Sequence, residues 1–453
     1  MRLTQIAGAL TGLFLLTAAG SAAAQEQGWL KDRKYAEGIG YRLGDLELHP
    51  GLAGEFGYDS NMFLRADNEN VVDVWRIRVT PSLSLSTLGP ERRGDAPPPS
   101  VTFRAGASGT YNEYIDAGGS EENVSDFRNL GANGNAELTI NPTGPVGGRL
   151  FGSVIRSIQP SNLSDTSSAY NRVHLQGGTE LMWIPGGGLF DWRVGYTYDT
   201  ELFEETRFQS LNNGTHAIGT RGRWRFLPKT ALLFDASQSF VRYSDPGDSR
   251  YLLGSSPIRA RIGLNGLLTN HVALMAMAGW GASFYESGDV PVENYDGPIG
   301  QVQLTFYPTP APTLSDAPRE ASLTLSKITL GYHRDFQNSY FGGYYTRDRG
   351  HLNLSYFFAG RVLVVGEGGV ARVGFPTLYF SDGTPRSGSF NETRYDASLF
   401  AEYRVIESVG INATVSYDRN DSINLPVDAG GLVGEDNLSY DRVQAFLGAR
   451  WFM

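Results

Sequence analysis

Cysteine is absent from all 453 residues of this chain. Without a thiol the protein has no disulfide bridge, no zinc–thiolate centre and no cysteine nucleophile. Exported soluble domains often carry disulfides, whereas chains that must cross the periplasm unfolded often avoid cysteine. The absence of cysteine therefore favours a chain that crosses the periplasm unfolded.

Long hydrophobic runs are also missing, apart from one near the N-terminus. Arg2 supplies positive charge ahead of the apolar run 6–16, and the small residues 22–24 suit signal peptidase. The run is too short to span a bilayer as a helix. We therefore predict a signal peptide over residues 1–24, cleaved after Ala24. Because no cysteine follows, a lipoprotein anchor is not expected.

Basic charge is in deficit, since the formal net charge is −10. This balance argues against nucleic acid as a partner. The mean hydropathy of −0.26 would fit a soluble protein. A transmembrane β-barrel gives the same average, because its lipid-facing and lumen-facing residues alternate and cancel. The 56 glycines and the 12% aromatic content are unusual for a soluble domain.

What recurs along the chain is a stretch of about ten residues with an apolar residue at every second position, which is typical of a transmembrane strand. In segment 214–226 one face carries Trp224, and the opposite face carries Arg221, Arg223 and Arg225. In a wide barrel these arginines would face the lumen.

The alternation predicts a single all-β, up-and-down antiparallel barrel of about eighteen strands. Its domain would span 48–453, preceded by a periplasmic lead-in over 25–47. The predicted strands lie near 48–57, 70–86, 100–111, 126–140, 146–158, 170–184, 189–199, 214–226, 230–242, 256–267, 271–284, 295–307, 321–334, 341–357, 361–374, 391–405, 409–418 and 438–453.

The connections between these strands alternate in length, as short periplasmic turns and longer outside loops do in bacterial barrels. Two of the turns, 87–99 and 308–320, are long and proline-rich; they are either stiff connections or a docking surface for a periplasmic partner. The longest outside loop, 419–437, is the expected constriction. The last strand alternates as well, with Phe452 penultimate and Met453 in the place where outer-membrane barrels usually have a terminal aromatic residue.

One segment carries a family resemblance. Residues 38–52 (GIGYRLGDLELHPGL), closed by 57–63 (GYDSNMF), resemble the opening of the OmpL-like outer-membrane barrels known as β-barrel porin 2. Gly51 stands where that pattern usually has serine. The resemblance implies a role in exopolysaccharide export with a periplasmic polysaccharide-export protein. The residues Tyr58–Asn61 themselves predict either a strand-end turn or a ligand site.

Alternation assigns a set of arginines to the lumen. They could form a basic track for an anionic or hydroxyl-rich glycan, because guanidinium groups bind carboxylates and stack on rings. The alternative is a cross-strand ladder of opposite charges that stiffens the wall. The predicted lumen-lining track is Arg76, Arg78, Arg221, Arg223, Arg225, Arg259, Arg261, Arg347 and Arg349.

No pattern of catalytic or metal-ligating residues emerges. The six histidines are scattered, without a His-x-x-x-His pair or a Gly-x-Ser-x-Gly elbow. The acidic loops could bridge through Ca²⁺ or Mg²⁺ to lipopolysaccharide, but none has a specific ligand spacing. We therefore expect no enzyme, no cofactor and no bound metal.

The expected location is the outer membrane, with lipid and lipopolysaccharide as surroundings. Three functions remain open from the sequence: a conduit for exopolysaccharide, a diffusion porin for small solutes, and a structural or adhesive barrel with a closed lumen. Conductance would separate the third from the first two, since a sealed barrel passes no current.

Overall fold

A computed structural model describes residues 40–66, 70–93, 97–118, 123–157, 171–247, 249–308, 326–358, 361–428 and 433–453. The predicted signal peptide and residues 25–39 of the predicted lead-in lie outside these ranges, as do parts of both proline-rich turns.

The chain forms an all-β barrel of eighteen long strands, as the alternation predicted. The strands are 12 to 17 residues long, enough to cross a membrane when tilted. They are β1 Leu46–Asp59, β2 Val74–Thr87, β3 Val101–Asp116, β4 Asn129–Ile140, β5 Val146–Ser157, β6 Arg172–Trp183, β7 Phe190–Phe203, β8 Asn213–Leu227, β9 Thr230–Tyr243, β10 Ser255–Thr269, β11 Val272–Tyr285, β12 Tyr295–Phe306, β13 Lys327–Asn338, β14 Tyr344–Phe358, β15 Val362–Phe375, β16 Phe390–Ile406, β17 Val409–Asp421 and β18 Tyr440–Phe452.

Shorter elements lie outside this ring. The strand Tyr41–Leu43 folds back on the start of β1. Two small hairpins in outside loops pair Leu378–Tyr379 with Pro385–Ser387 and Asn424–Asp428 with Val433–Asn437. Helix in the described ranges is confined to short segments, namely Pro90–Arg93, Val124–Phe127, Gly186–Gly188 and Thr206–Leu211. None of the helices in those ranges is long and apolar enough to cross a membrane.

Every strand of the ring pairs antiparallel with its neighbours in chain order, and the ring closes where β18 pairs with β1. The closing ladder runs from Gly51 opposite Phe452 to Asp59 opposite Gln444. Closure removes the free sheet edges that an open sheet of this size would expose.

An ion-pair cluster crosses this closing seam. The buried carboxylate of Asp59 accepts hydrogen bonds from Arg442 Nε at 2.8 Å and Gln444 Nε2 at 2.7 Å, both on β18. Arg76 Nη1 on β2 lies 3.4 Å from the same carboxylate. Asp59 therefore joins the first, second and last strands through one buried group.

The rest of segment 58–63 turns the chain at the end of β1. Ser60 exchanges two hydrogen bonds with the backbone of Val443, at 3.0 and 2.8 Å. The Asn61 amide donates to the carbonyl of Asp441 at 3.1 Å. These contacts, all within the protein's own chain, fit the strand-end turn rather than a ligand site.

The outer face of the ring is apolar. Leu447 is 64% exposed, Leu330 59% and Trp280 55%, although each is hydrophobic and lies within a strand. A closed barrel is one of only two architectures that satisfy every backbone polar group in lipid. The protein is therefore an integral outer-membrane β-barrel whose exposed apolar side chains face the bilayer.

The connections alternate between the two ends of the barrel. Tight turns at one end include 141–145, 228–229, 270–271 and 407–408. The rule that periplasmic turns are short makes this the periplasmic end. Longer loops gather at the opposite end, hereafter the outer end.

The C-terminal strand places its aromatic residues on both faces. Trp451 is exposed to the lipid side, whereas Phe452 is buried on the lumen side. The guanidinium carbon of Arg450 lies 4.6 Å from the centre of the Phe452 ring. The outward row of β18 therefore contains Trp451 and continues to Met453, not to Phe452.

Candidate functional site

The lumen wall carries the charged side chains of the barrel. Strand register and burial place all nine arginines of the predicted track on the inward face, opposite the exposed apolar rows. Their orientation agrees with the sequence pattern. The ion-pair and hydrogen-bond partners of each arginine decide whether it is available to a ligand.

Arg76 and Arg78 belong to a packed part of the wall. Arg78 pairs with Glu55 at 3.1 Å, and its guanidinium carbon lies 3.5 Å from the centre of the Phe446 ring. Arg76 pairs with Asp59 and donates to the Asn112 amide oxygen at 3.0 Å. Both charges are neutralised and covered.

Four further arginines are paired with acids on nearby strands. Such pairs form a cross-strand ladder in which each charge is compensated locally. The pairs are Arg221 with Glu180 at 2.7 Å, Arg259 with Asp335 at 3.1 Å, Arg261 with Asp235 at 3.0 Å, and Arg349 with Glu367 at 3.0 Å.

Three arginines of the track differ from the rest. Arg225 and Arg347 form no ion pair with any residue in the described ranges, and the Nε atom of Arg347 is buried without a hydrogen-bond partner. Arg223 has Asp191 only at 3.9 Å, and its Nε also lacks a partner. These three guanidinium groups retain capacity to bind an anion or a hydroxyl-rich ligand.

Polar groups next to Arg347 extend this capacity along β14. His351 and Asn353 follow it on the same inward face, and His351 Nδ1 and Asn353 Oδ1 are buried without partners. His333 lies on β13 directly opposite Arg349. Strand alternation places His351 on the lumen face, but nothing in the sequence indicates which polar atoms stay unpaired.

The outer end of β13 leaves the wall. β12 and β13 pair only from Gly300 opposite Arg334 to Phe306 opposite Ile328, the shortest ladder in the ring. Beyond Arg334, β13 remains paired with β14 alone. We call residues 335–345, which comprise this end of β13, the turn and the start of β14, the strap.

The base of the strap is fixed to the inner wall. Arg259 on β10 donates to Asp335 at 3.1 Å and to the Phe336 carbonyl at 2.6 Å. The ring of Phe336 is fully buried and stacks on Tyr295, with ring centres 4.1 Å apart. Strand alternation alone would have placed Phe336 on the lipid side; in the structure it turns inward.

The tip of the strap reaches the wall at β6 and β7, and five strands, β8 to β12, lie between β7 and β13. The hydroxyl of Tyr340 donates to Glu201 and lies 3.3 Å from Arg172 Nη1. Its ring packs against Phe203 with centres 5.8 Å apart. The strap therefore crosses the outer mouth of the barrel.

The predicted constriction, loop 419–437, also contributes at this end. Leu425 in its hairpin is fully buried against Val373, Phe375 and Phe390, which face inward on β15 and β16. Leu378 from the neighbouring loop joins the same cluster. The hairpin of this loop therefore packs on the inner wall at the outer end, and nothing in the sequence indicated the strap.

No group of three or more potential metal-ligating side chains occurs in the described ranges. The arginine, histidine and amide groups of the lumen wall can bind anions and hydroxyl groups.

Comparisons with known proteins add a likeness of fold. No family model matches the chain, and no curated protein matches it. Among solved structures, OpdK from Pseudomonas aeruginosa is 10% identical with a TM-score of 0.44, covering 91% of this chain and 100% of its own. OprD from the same organism is 12% identical with a TM-score of 0.42, covering 92% and 97%. The FrpB iron transporter from Neisseria meningitidis is 8% identical with a TM-score of 0.44, covering 89% and 82%.

Proposed function

We propose that the barrel is a conduit for an exopolysaccharide across the outer membrane, working with a periplasmic polysaccharide-export protein. The observation that carries the proposal is the set of lumen guanidinium groups without a close carboxylate: Arg225 and Arg347 form no ion pair in the described ranges, and Arg223 has only Asp191 at 3.9 Å. A structural ladder needs no uncompensated cations, whereas an acidic glycan needs them as partners. The resemblance at residues 38–63 supports an exopolysaccharide as the ligand and a periplasmic polysaccharide-export protein as the partner.

A diffusion porin for small solutes is the second candidate. It is favoured by the strap. A segment that crosses the mouth from Asp335 to Tyr340 obstructs the passage of a polymer more than the passage of a small molecule. Both candidates require a conducting lumen. They differ in what the cell loses when the protein is removed.

A deletion strain separates the two candidates. Under the proposal, the strain loses surface polysaccharide while uptake of small neutral solutes stays unchanged. If surface polysaccharide persists and solute uptake falls, the protein is a porin and the conduit proposal is wrong.

The unpaired arginines give a sharper test in the complemented strain. Replacing Arg223, Arg225 and Arg347 together by glutamine removes three charges, and Asp191 keeps its ion pair with Arg193 at 2.9 Å. One lost charge-assisted contact of about 1.5 kcal/mol weakens ligand binding roughly tenfold. We expect polysaccharide export to fall sharply, and the reversal potential in planar bilayers under a salt gradient to shift towards cation preference.

The matched control is Arg372→Gln. Arg372 is an exposed arginine on the outward face of β15, hydrogen-bonded to Asn391 at 3.2 Å. It should change neither export nor selectivity. Equal effects of the lumen triple variant and of this control would contradict the role of the unpaired arginines.

A further inference from the structure

The strap leaves a vacant strand edge behind it. β12 continues to Tyr295 along β11, but on its other side residues 295–299 have no partner strand in the described ranges. An unpaired edge presents free backbone donors and acceptors and is a template for strand pairing. In lipid such groups are costly, so the edge is a place where another strand is favoured.

Backbone geometry shows which groups of this edge point towards β13. The N–H of Tyr307 bonds to the His271 carbonyl, so odd-numbered residues of β12 direct their backbone groups to β11. Even-numbered residues, including Asp296 and Pro298, direct theirs towards β13. In agreement, the Pro298 carbonyl accepts a bond from Arg334 Nε at 3.2 Å.

Pro298 stands at the position where the ladder would continue. Extending the register of Gly300 with Arg334 places Pro298 opposite Phe336. This would be a hydrogen-bonded pair, and proline removes one of its two bonds because it has no N–H. The Phe336 N–H instead bonds to the Asp335 carboxylate at 2.8 Å.

Besides the ring contacts of Phe336 and Tyr340, polar side-chain contacts hold the strap inside. Asn338 donates to the Ser255 hydroxyl at 2.8 Å and accepts from the Tyr285 hydroxyl at 3.1 Å. The turn itself depends on Gly342 and Gly343, with φ of 93° and 69°, values that side chains rarely adopt. The strap is therefore a compact hairpin that side-chain contacts hold against the inner wall.

We propose that the strap is a gate with two docking positions. In the closed position it crosses the outer mouth; in the open position residues 335–338 pair with the vacant edge 295–299 of β12 and clear the mouth. Phe336 finds an apolar environment in both, packed on Tyr295 when closed and in the lipid-facing row with Tyr332 when open. The gate controls a passage, so this inference rests on the proposed function.

The absence of native cysteine allows a clean cross-linking test. The double variant Ser255→Cys with Asn338→Cys places thiols where the native side chains are in hydrogen-bond contact, so oxidation should fix the strap closed. In planar bilayers we expect low conductance after oxidation and several-fold higher conductance after reduction with dithiothreitol. Equal conductance in both states would overturn the gate.

A second variant acts on the vacant edge without touching the strap. Pro298→Thr restores the missing N–H and should favour the open position, seen as a larger open fraction in single-channel records. The control is Pro257→Thr, a strand proline in β10 that lies opposite Ser283 in the paired wall. If Pro298→Thr and Pro257→Thr behave alike, the vacant edge does not receive the strap and the proposal is wrong.

Failure of the gate and failure of the passage give different records. If the barrel conducts equally in all variants, it is an open passage whose strap does not move. This result overturns only the gate. A barrel that passes no current, even when residues 339–343 are shortened to a Gly-Gly turn and the cross-link is reduced, overturns the passage and the gate together.

Discussion

Replacement of Asp59 by alanine is expected to lower the free energy of unfolding of the barrel by about 3–5 kcal/mol. The carboxylate is completely buried and bonds to Arg442, Gln444 and Arg76, from the last strand and the second strand. Removing it leaves two largely buried guanidinium groups without this partner. The cost is large because a buried charge that loses its counter-charge retains its desolvation penalty.

The change is measured by urea unfolding of the protein folded into lipid vesicles, followed by the fluorescence of its seven tryptophans. The control is Asp421→Ala at the outer end of β17, where the ion pair with Arg419 at 2.7 Å is exposed. Little change is expected there, because solvent screens exposed pairs. Similar losses in the two variants would show that the Asp59 cluster does not secure the seam.

Introducing arginine at Leu447 is the second substitution with a large expected effect. Leu447 lies in the middle of β18 and, at 64%, is the most exposed large hydrophobic residue in the described ranges. An arginine on the lipid face near the bilayer midplane costs about 2–4 kcal/mol. We expect the free energy of unfolding of the barrel in vesicles to fall by that amount.

The control for this substitution is Ser239→Arg, which puts the same side chain on the inward face of β9, where Ser239 lies opposite Ala217. A polar lumen accommodates a cation, so stability should change little. If both variants lose the same free energy, the assignment of outward and inward faces is wrong.

Much of the barrel could be predicted from local patterns. The strand number, the approximate positions of all eighteen strands and the alternation of short and long connections agree with the structure. Each strand must present apolar residues to the lipid at every second position. This alternation is visible within each strand's own sequence, so it can be recognised without knowing which strands pair with it.

The partners of the lumen arginines could not be predicted in the same way. Arg259 meets Asp335 from three strands away, and Arg442 meets Asp59 across 383 positions of sequence. Such contacts depend on the register of intervening strands and on the curvature of the wall. The nine arginines therefore look alike in sequence, although only Arg223, Arg225 and Arg347 lack a close acid.

The strap at the outer mouth could not be predicted from the sequence either. Periodicity would carry β13 on along the wall with Phe336 facing lipid, but the chain turns inward after Arg334. The inward course is set by Arg259 on β10 and by Pro298 on β12, which are not local to the strap.

The sequence by itself determined that this chain is a closed barrel in the outer membrane, because facing lipid imposes a period of two on every strand. Only the tertiary structure decided which lumen charges remain available and which segment crosses the mouth. The physical reason is that ion pairing and strand docking depend on distances between elements that are remote in the chain, and these distances exist only once the ring has closed.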